Sequence, residues 1–118
     1  MSTESYILLS STTTVGEFTG QKAKASGYHR RSDNLHTFTA SFANWSGEVR
    51  LQATLKLYPN DTTDWFDLKD VNDTIIVIGD GSTDYDQPIT VNARGNFIWI
   101  RAVGTITAGE ITEIRYNY

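Results

Sequence analysis

The sequence predicts an all-β protein, an antiparallel β-sandwich of jelly-roll type with about eight strands. Three observations lead there. Val49, Leu51, Ala53, Leu55 and Leu57 alternate with Glu48, Arg50, Gln52, Thr54 and Lys56, the period of a strand with one dry face and one wet face. No stretch reads as a helix, and clusters of Gly, Asn, Asp and Ser recur at the spacing of short strands. A strand that is dry on one side needs a second apolar layer, and in an all-strand chain a second sheet supplies it.

Taken in order, residues 6–9 form a short apolar strand and 10–14 a Ser/Thr-rich loop or edge. Residues 15–25 make a weaker strand region, punctuated by glycines that mark a bulge or turn. Residues 28–34 are turn-like, after which His36, Phe38, Ala40 and Phe42 alternate with Thr37, Thr39 and Ser41. The segment Ala43-Asn44-Trp45-Ser46-Gly47 reads as a hairpin connection into the strand at 49–57. Residues 58–63 form a turn, 65–68 a short strand, and 74–78 a β-branched strand. Residues 79–86 form an acidic loop, Pro88 suits a strand start or an edge, and 89–91 lead into a turn at 92–96. The last two strands, 97–103 and 111–116, are joined by a second expected hairpin at 104–109. No spacer divides the chain, so residues 1–118 form a single sandwich domain.

Composition narrows the function. There is no cysteine, which excludes disulfides, thiolate metal sites and cysteine nucleophiles. A net charge of −4, from 10 basic and 14 acidic residues, with lysine and arginine scattered, argues against a nucleic-acid footprint. No basic leader or long apolar stretch stands at the start, so the expected location is the cytosol until assembly or lysis, with no membrane partner. The sequons at Asn44, Asn60 and Asn72 matter only in a secretory pathway.

Catalytic readings are thin. His36 follows Ser32 and Asp33, but neighbours on one loop are not gathered from separate elements as triad members are, and a solvated strand end is the plainer reading. His29, within Tyr28-His29-Arg30-Arg31, reads as a surface residue. Asp80, Ser82, Thr83, Asp84 and Asp86 offer oxygen ligands without the helix-loop-helix calcium spacing. Asp61, Asp64, Asp67, Asp70 and Asp73 are spread over turns, with nothing to place two of them on one cleft wall. No cofactor, metal or catalytic residue is expected.

Aromatic residues carry the recognition signal. In the strand at 97–103, one face presents Ile98, Ile100 and Ala102 and the other Phe97, Trp99, Arg101 and Val103. Apolar side chains thus point both ways. Either a partner covers one face, or the strand is central and covered on both sides within the domain. Trp99 and Arg101 have the spacing of a cation–π pair. Trp45 and Tyr58, at the ends of the 49–57 strand, are placed to stack on sugar rings or on a neighbouring subunit.

Four segments, Trp45 to Leu55, Asp64-Trp65-Phe66-Asp67-Leu68, Asn96 to Ala102 and Thr107 to Ile114, together resemble small virion structural proteins of tailed bacteriophages, particularly those of marine cyanobacteria. The resemblance spans the last two-thirds of the chain and implies a compact, non-enzymatic β-sandwich used in several copies in a phage particle, as a capsid decoration or a neck- or tail-associated protein. Its partners would be other virion proteins and further copies of itself. The expected interface residues are Trp45, Phe97, Trp99 and Arg101, with residues 6–9 and 116–118 as arms. The rival expectation is a carbohydrate-binding module or receptor-binding domain of a fibre, with Trp45, Tyr58 and Tyr85 as the stacking platform.

Overall fold

Two long strands organise the molecule, and each runs straight through a segment that the sequence reads as a hairpin. The computed structural model describes residues 5–25, 35–60, 62–70, 72–81 and 84–117. The strands are β1 (Ser5–Leu9), β2 (Gly16–Thr19), β3 (Ala23–Lys24), β4 (Leu35–Thr54), β5 (Phe66–Asp67), β6 (Val77–Ile78), β7 (Ile89–Arg94) and β8 (Trp99–Asn117). β4 and β8 pair antiparallel with each other from Thr37↔Asn117 to Thr54↔Trp99. The connections expected at 43–47 and 104–109 are therefore not turns. They are irregularities inside continuous strands, with register shifts at Ser41/Phe42, Ala43/Ser46 and Ser46/Gly47.

The physical reason is a change of phase. Inward side chains in β4 run His36, Phe38, Ala40, Phe42 and then Trp45, Val49, Leu51, Ala53. An even set gives way to an odd one, which a continuous strand achieves by inserting an unpaired residue. Asn44, exposed and at φ 49°, is in that insertion, and asparagine tolerates this left-handed conformation. β8 shifts likewise, from Ile100, Ala102 and Ile106 to Ile111 and then to Ile114 and Tyr116.

The rest of the sheet follows this ribbon. Along the free edge of β8 lie β1, Thr12 opposite Ile111, β2 and β3. Along the free edge of β4 lie β7, Tyr85 opposite Trp45, β6 and β5. The result is one antiparallel sheet of eight strands. A flat strand of twenty residues would reach about 66 Å, yet the longest dimension of the molecule is 39 Å. Arg94 pairs at the Leu35 end of β4 and Trp99 at its Thr54 end, and five Cα steps span at most about 19 Å. The ribbon is therefore curled so that its two ends meet, giving the sandwich-like all-β fold that the alternation implies.

Between the two halves sits a single core cluster that includes Leu8, Phe38, Phe42, Trp45, Leu51, Ile100, Ile111, Ile114 and Tyr116. Trp45 fills the crease, stacked on Phe42 at 4.4 Å between ring centroids, with Tyr85 at 5.9 Å. Its Nε1 is buried without a partner among the described residues, at a cost of about 1–3 kcal/mol. Burying roughly 200 Å² of ring at about 25 cal/mol/Å² returns about 5 kcal/mol, so the ring stays inside.

The expected second strand region divides into β2 and β3, and the 65–68 and 74–78 strands shorten to β5 and β6. The 49–57 strand ends at Thr54, leaving Leu55 64 % and Leu57 48 % exposed. Gly109 tests the crease. It has φ 79°, and a Cβ there would meet the Asn44 carbonyl oxygen at 2.0 Å. Gly109→Ala is expected to destabilise the protein by more than about 3 kcal/mol in urea unfolding. Gly81→Ala, at φ 85° with open space around it, should cost only about 1 kcal/mol.

Candidate functional site

His36 is not a solvated strand end. It is fully buried, with its Nε2 2.6 Å from the Gly95 carbonyl and its Nδ1 2.5 Å from the Tyr116 hydroxyl. A carbonyl only accepts, so Nε2–H donates to Gly95 and Nδ1 accepts from Tyr116. Phe97 and Tyr116 pack on the ring at 5.3 and 5.6 Å. Position 36 thereby fastens the 95–97 crossover to the start of β4, and solvent does not reach it. Ser32, Asp33 and the 28–31 segment lie outside the described residues.

The acidic loop is a strap over the crease. Trp45 and Tyr85 exchange backbone hydrogen bonds at 2.9 and 2.7 Å, and Gly81 N–H donates to the Gly47 carbonyl at 3.0 Å. The Asp86 carboxylate accepts from the Asn44 N–H at 3.2 Å. Ser82 and Thr83 lie outside the described residues, among which no three His, Cys, Asp or Glu side chains gather around a metal position.

The aromatic platform does not assemble. Trp45 is wholly buried and Tyr85 is half-buried against it, while Tyr58, 88 % exposed, lies beyond the far end of β4. Trp45 can neither stack on a sugar nor face a subunit. Phe97 is also a core residue, 8 % exposed, between His36 and Phe66. The two-sided apolar pattern of β8 is thus resolved inside the chain. Ile100 and Ala102 face the core, and on the outer side the Trp65 ring covers Arg101 while Trp99 is half-buried.

On that outer side, polar side chains form a continuous relay. Arg50 donates to Glu48 at 2.9 Å and to Asp67 at 3.2 Å, Gln52 donates to Asp67 at 3.2 Å, and Arg101 donates to Gln52 at 3.0 Å. The hydrogen bond it donates to Glu48, followed by that to Asp67, holds the Arg50 guanidinium above its ordinary range. Arg101 is 9 % exposed, and its guanidinium stacks 4.2 Å from the Trp65 ring centroid. The cation–π pair expected between Trp99 and Arg101 is not formed. Trp65 takes Arg101, and Lys22 sits 4.6 Å over Trp99. No local spacing could announce these partners, since residues 65 and 101 meet only through the fold.

The loop that supplies Trp65 is tied down at Lys56, Leu57, Asn60 and Asp64. Trp65 Nε1 donates to the Asn60 carbonyl and Trp99 Nε1 to the Leu57 carbonyl, both at 2.9 Å. Asp64 accepts from Lys56 Nζ and from the Asn60 N–H, both at 2.8 Å. The Lys56 bond first, then the backbone bond, lowers the Asp64 pKa.

Comparison with protein-family models, with curated proteins and with solved structures finds no match to this chain. Function must be argued from the arrangement itself.

His36→Ala should unfold about 2–4 kcal/mol more easily, because it leaves a cavity and strips a buried hydroxyl and carbonyl of their partner. Chemical denaturation measures this. Asp64 has a lower pKa in the folded chain than in the unfolded one. Its stabilisation is therefore complete above the unfolded value of about 3.9 and is lost as pH falls through the folded value. Acid titration followed by tryptophan fluorescence should show this loss, and Asp64→Asn should flatten it.

Proposed function

We propose that the protein is a non-enzymatic structural component of a bacteriophage virion, a capsid decoration or a neck- or tail-associated protein, acting through protein contacts with other virion proteins and with further copies of itself. One observation carries the reading. Leu55, Leu57 and Tyr58 stand 64, 48 and 88 % exposed on the loop after β4, although hydrogen bonds from Trp99 and Trp65 and the Lys56–Asp64 ion pair hold that loop in place. Apolar side chains presented on a fixed frame mark a contact surface. They join the half-buried Trp99 as contact candidates, in place of Trp45, Phe97 and Arg101, which the chain itself covers.

Two further features support a structural role. The resemblance carried by the segments around Trp45, Trp65 and Trp99 is to virion proteins, and the buried His36 is committed to holding the 95–97 crossover. A location in the particle follows from the same reading.

Solution mass by light scattering tests it. The expected result is a concentration-dependent mass above the 13.2 kDa of one chain, or retention of the protein by purified particles of its phage. Leu55→Asp with Leu57→Asp should weaken that association by about a hundredfold or more, since each covered leucine contributes roughly 1.5–3 kcal/mol. A monomer that binds no virion protein overturns the proposal.

A further inference from the structure

Residues 20–22, between β2 and β3, cross the surface under unusual restraint. Gly20 N–H donates to the Ala102 carbonyl at 2.7 Å, Gln21 N–H to the Leu8 carbonyl at 3.0 Å, and Gln21 Nε2 to the Ile7 carbonyl at 2.6 Å. A Cβ at position 20 would lie 2.4 Å from the Leu8 carbonyl oxygen, so the backbone is wedged between β1 and β8 where only glycine fits. This clamp carries Lys22 out over the Trp99 ring, 4.6 Å from its centroid. Among the described residues Lys22 makes no ion pair.

A cleft opens on each side of Lys22. One, of about 390 Å³, is bordered by Tyr6, Gln21, Lys24 and Trp99. The other, of about 290 Å³, is bordered by Thr19, Trp65 and Arg101. The chain has 14 carboxylate side chains, yet among the described residues none lines either cleft. A neighbouring depression along β2 differs, for there Glu17 and Glu48 surround Arg50 and the charge is already answered.

We propose that this pair of clefts binds an acidic saccharide, with Lys22 recognising the carboxylate and the Trp99 and Trp65 rings supporting successive sugar rings. Indole faces suit the apolar face of a pyranose, and Thr19 and Gln21 supply hydroxyl partners at the rim. In the free protein the Lys22 ammonium rests on Trp99. A sugar carboxylate draws that ammonium into a charge-assisted hydrogen bond, stronger than an exposed cation–π contact, and uncovers the indole for the ring. Arg101, already engaged by Gln52 and Trp65, acts as a positioning residue that holds Trp65 upright. The volumes fall at the low end of ligand clefts, about 300 Å³, which is room for one or two rings. The net charge of −4 repels a dense polyanion such as a nucleic acid, whereas a single carboxylate per sugar is accommodated at Lys22, with Lys24 at the rim of one cleft.

Titration of the intact protein with a galacturonate trisaccharide, with the same trisaccharide reduced to its neutral alcohols, and with a short oligothymidylate tests the site. Tryptophan fluorescence and calorimetry report binding. The acidic trisaccharide should saturate, and the reduced one should bind about tenfold more weakly, as expected for the loss of one charge contact. Lys22→Ala should lose a similar factor with an unchanged melting temperature, and Lys22→Arg should retain binding. The proposal is overturned by absence of saturable binding, by equal affinity for the charged and reduced sugars, by tighter binding of the oligothymidylate, or by a Lys22→Ala protein that binds as before.

Discussion

Everything in this fold depends on the antiparallel pairing of β4 with β8 and on the crease that bends both strands at the same level. Two strands of about twenty residues cannot lie flat in a protein 39 Å long, so the ribbon must curl. The unpaired residues around Asn44 and Gly109 supply the bend, and the buried ring of Trp45 fills the inside of it. Strands β1, β2 and β3 then follow the free edge of β8, and β5, β6 and β7 that of β4, and bend with them. Bending also brings the ends of the ribbon together, which is why the short 95–98 connection suffices and why His36, beside Gly95 at the start of β4, also packs on Phe97.

The same curl determines what remains available for recognition. Because β8 lies in the middle of the sheet, it is dry inside through Ile100 and Ala102, and outside Trp65 covers Arg101 while the Leu57 carbonyl holds Trp99. Apolar side chains on both faces of this strand are thus partly sheltered within the chain itself. Roofing β8 has its own consequence. The loop that places Trp65 over Arg101 has Leu55, Leu57 and Tyr58 facing solvent, and the clamp at Gly20 and Gln21 sets Lys22 over Trp99. The surfaces most suited to binding are thus by-products of how the central strand is sheltered.

Much of the fold was legible in the residues. The alternation from His36 to Phe42 and from Val49 to Ala53 identifies the two halves of β4, and Ile100, Ala102, Ile114 and Tyr116 do the same for β8. What misled was the interval between the halves. A glycine and an asparagine within five residues read equally as a turn or as a bulge, and the two differ only in whether the chain reverses. The change from even to odd positions between Phe42 and Trp45 was the available sign, since an insertion within a strand moves the inward set by one residue. The candidate site was much less legible. Trp45 and Tyr58 look alike as aromatics at strand ends, yet one is wholly buried and the other almost fully exposed. Likewise the partner of Arg101 proved to be a tryptophan 36 positions away, although Trp99 is only two residues from it.

From sequence alone came the all-β class, the alternating segments at 36–42 and 49–53, the lack of any cysteine chemistry and the acidic balance, because periodicity and composition are local or additive properties. Only the tertiary structure decided that two expected hairpins are bends in continuous strands, that Trp45 and Phe97 belong to the core, and that Lys22, Trp99, Trp65 and Arg101 share one surface. Those outcomes depend on which distant segments lie side by side, and strand pairing is chosen by the packing of the whole chain rather than by any single stretch of it.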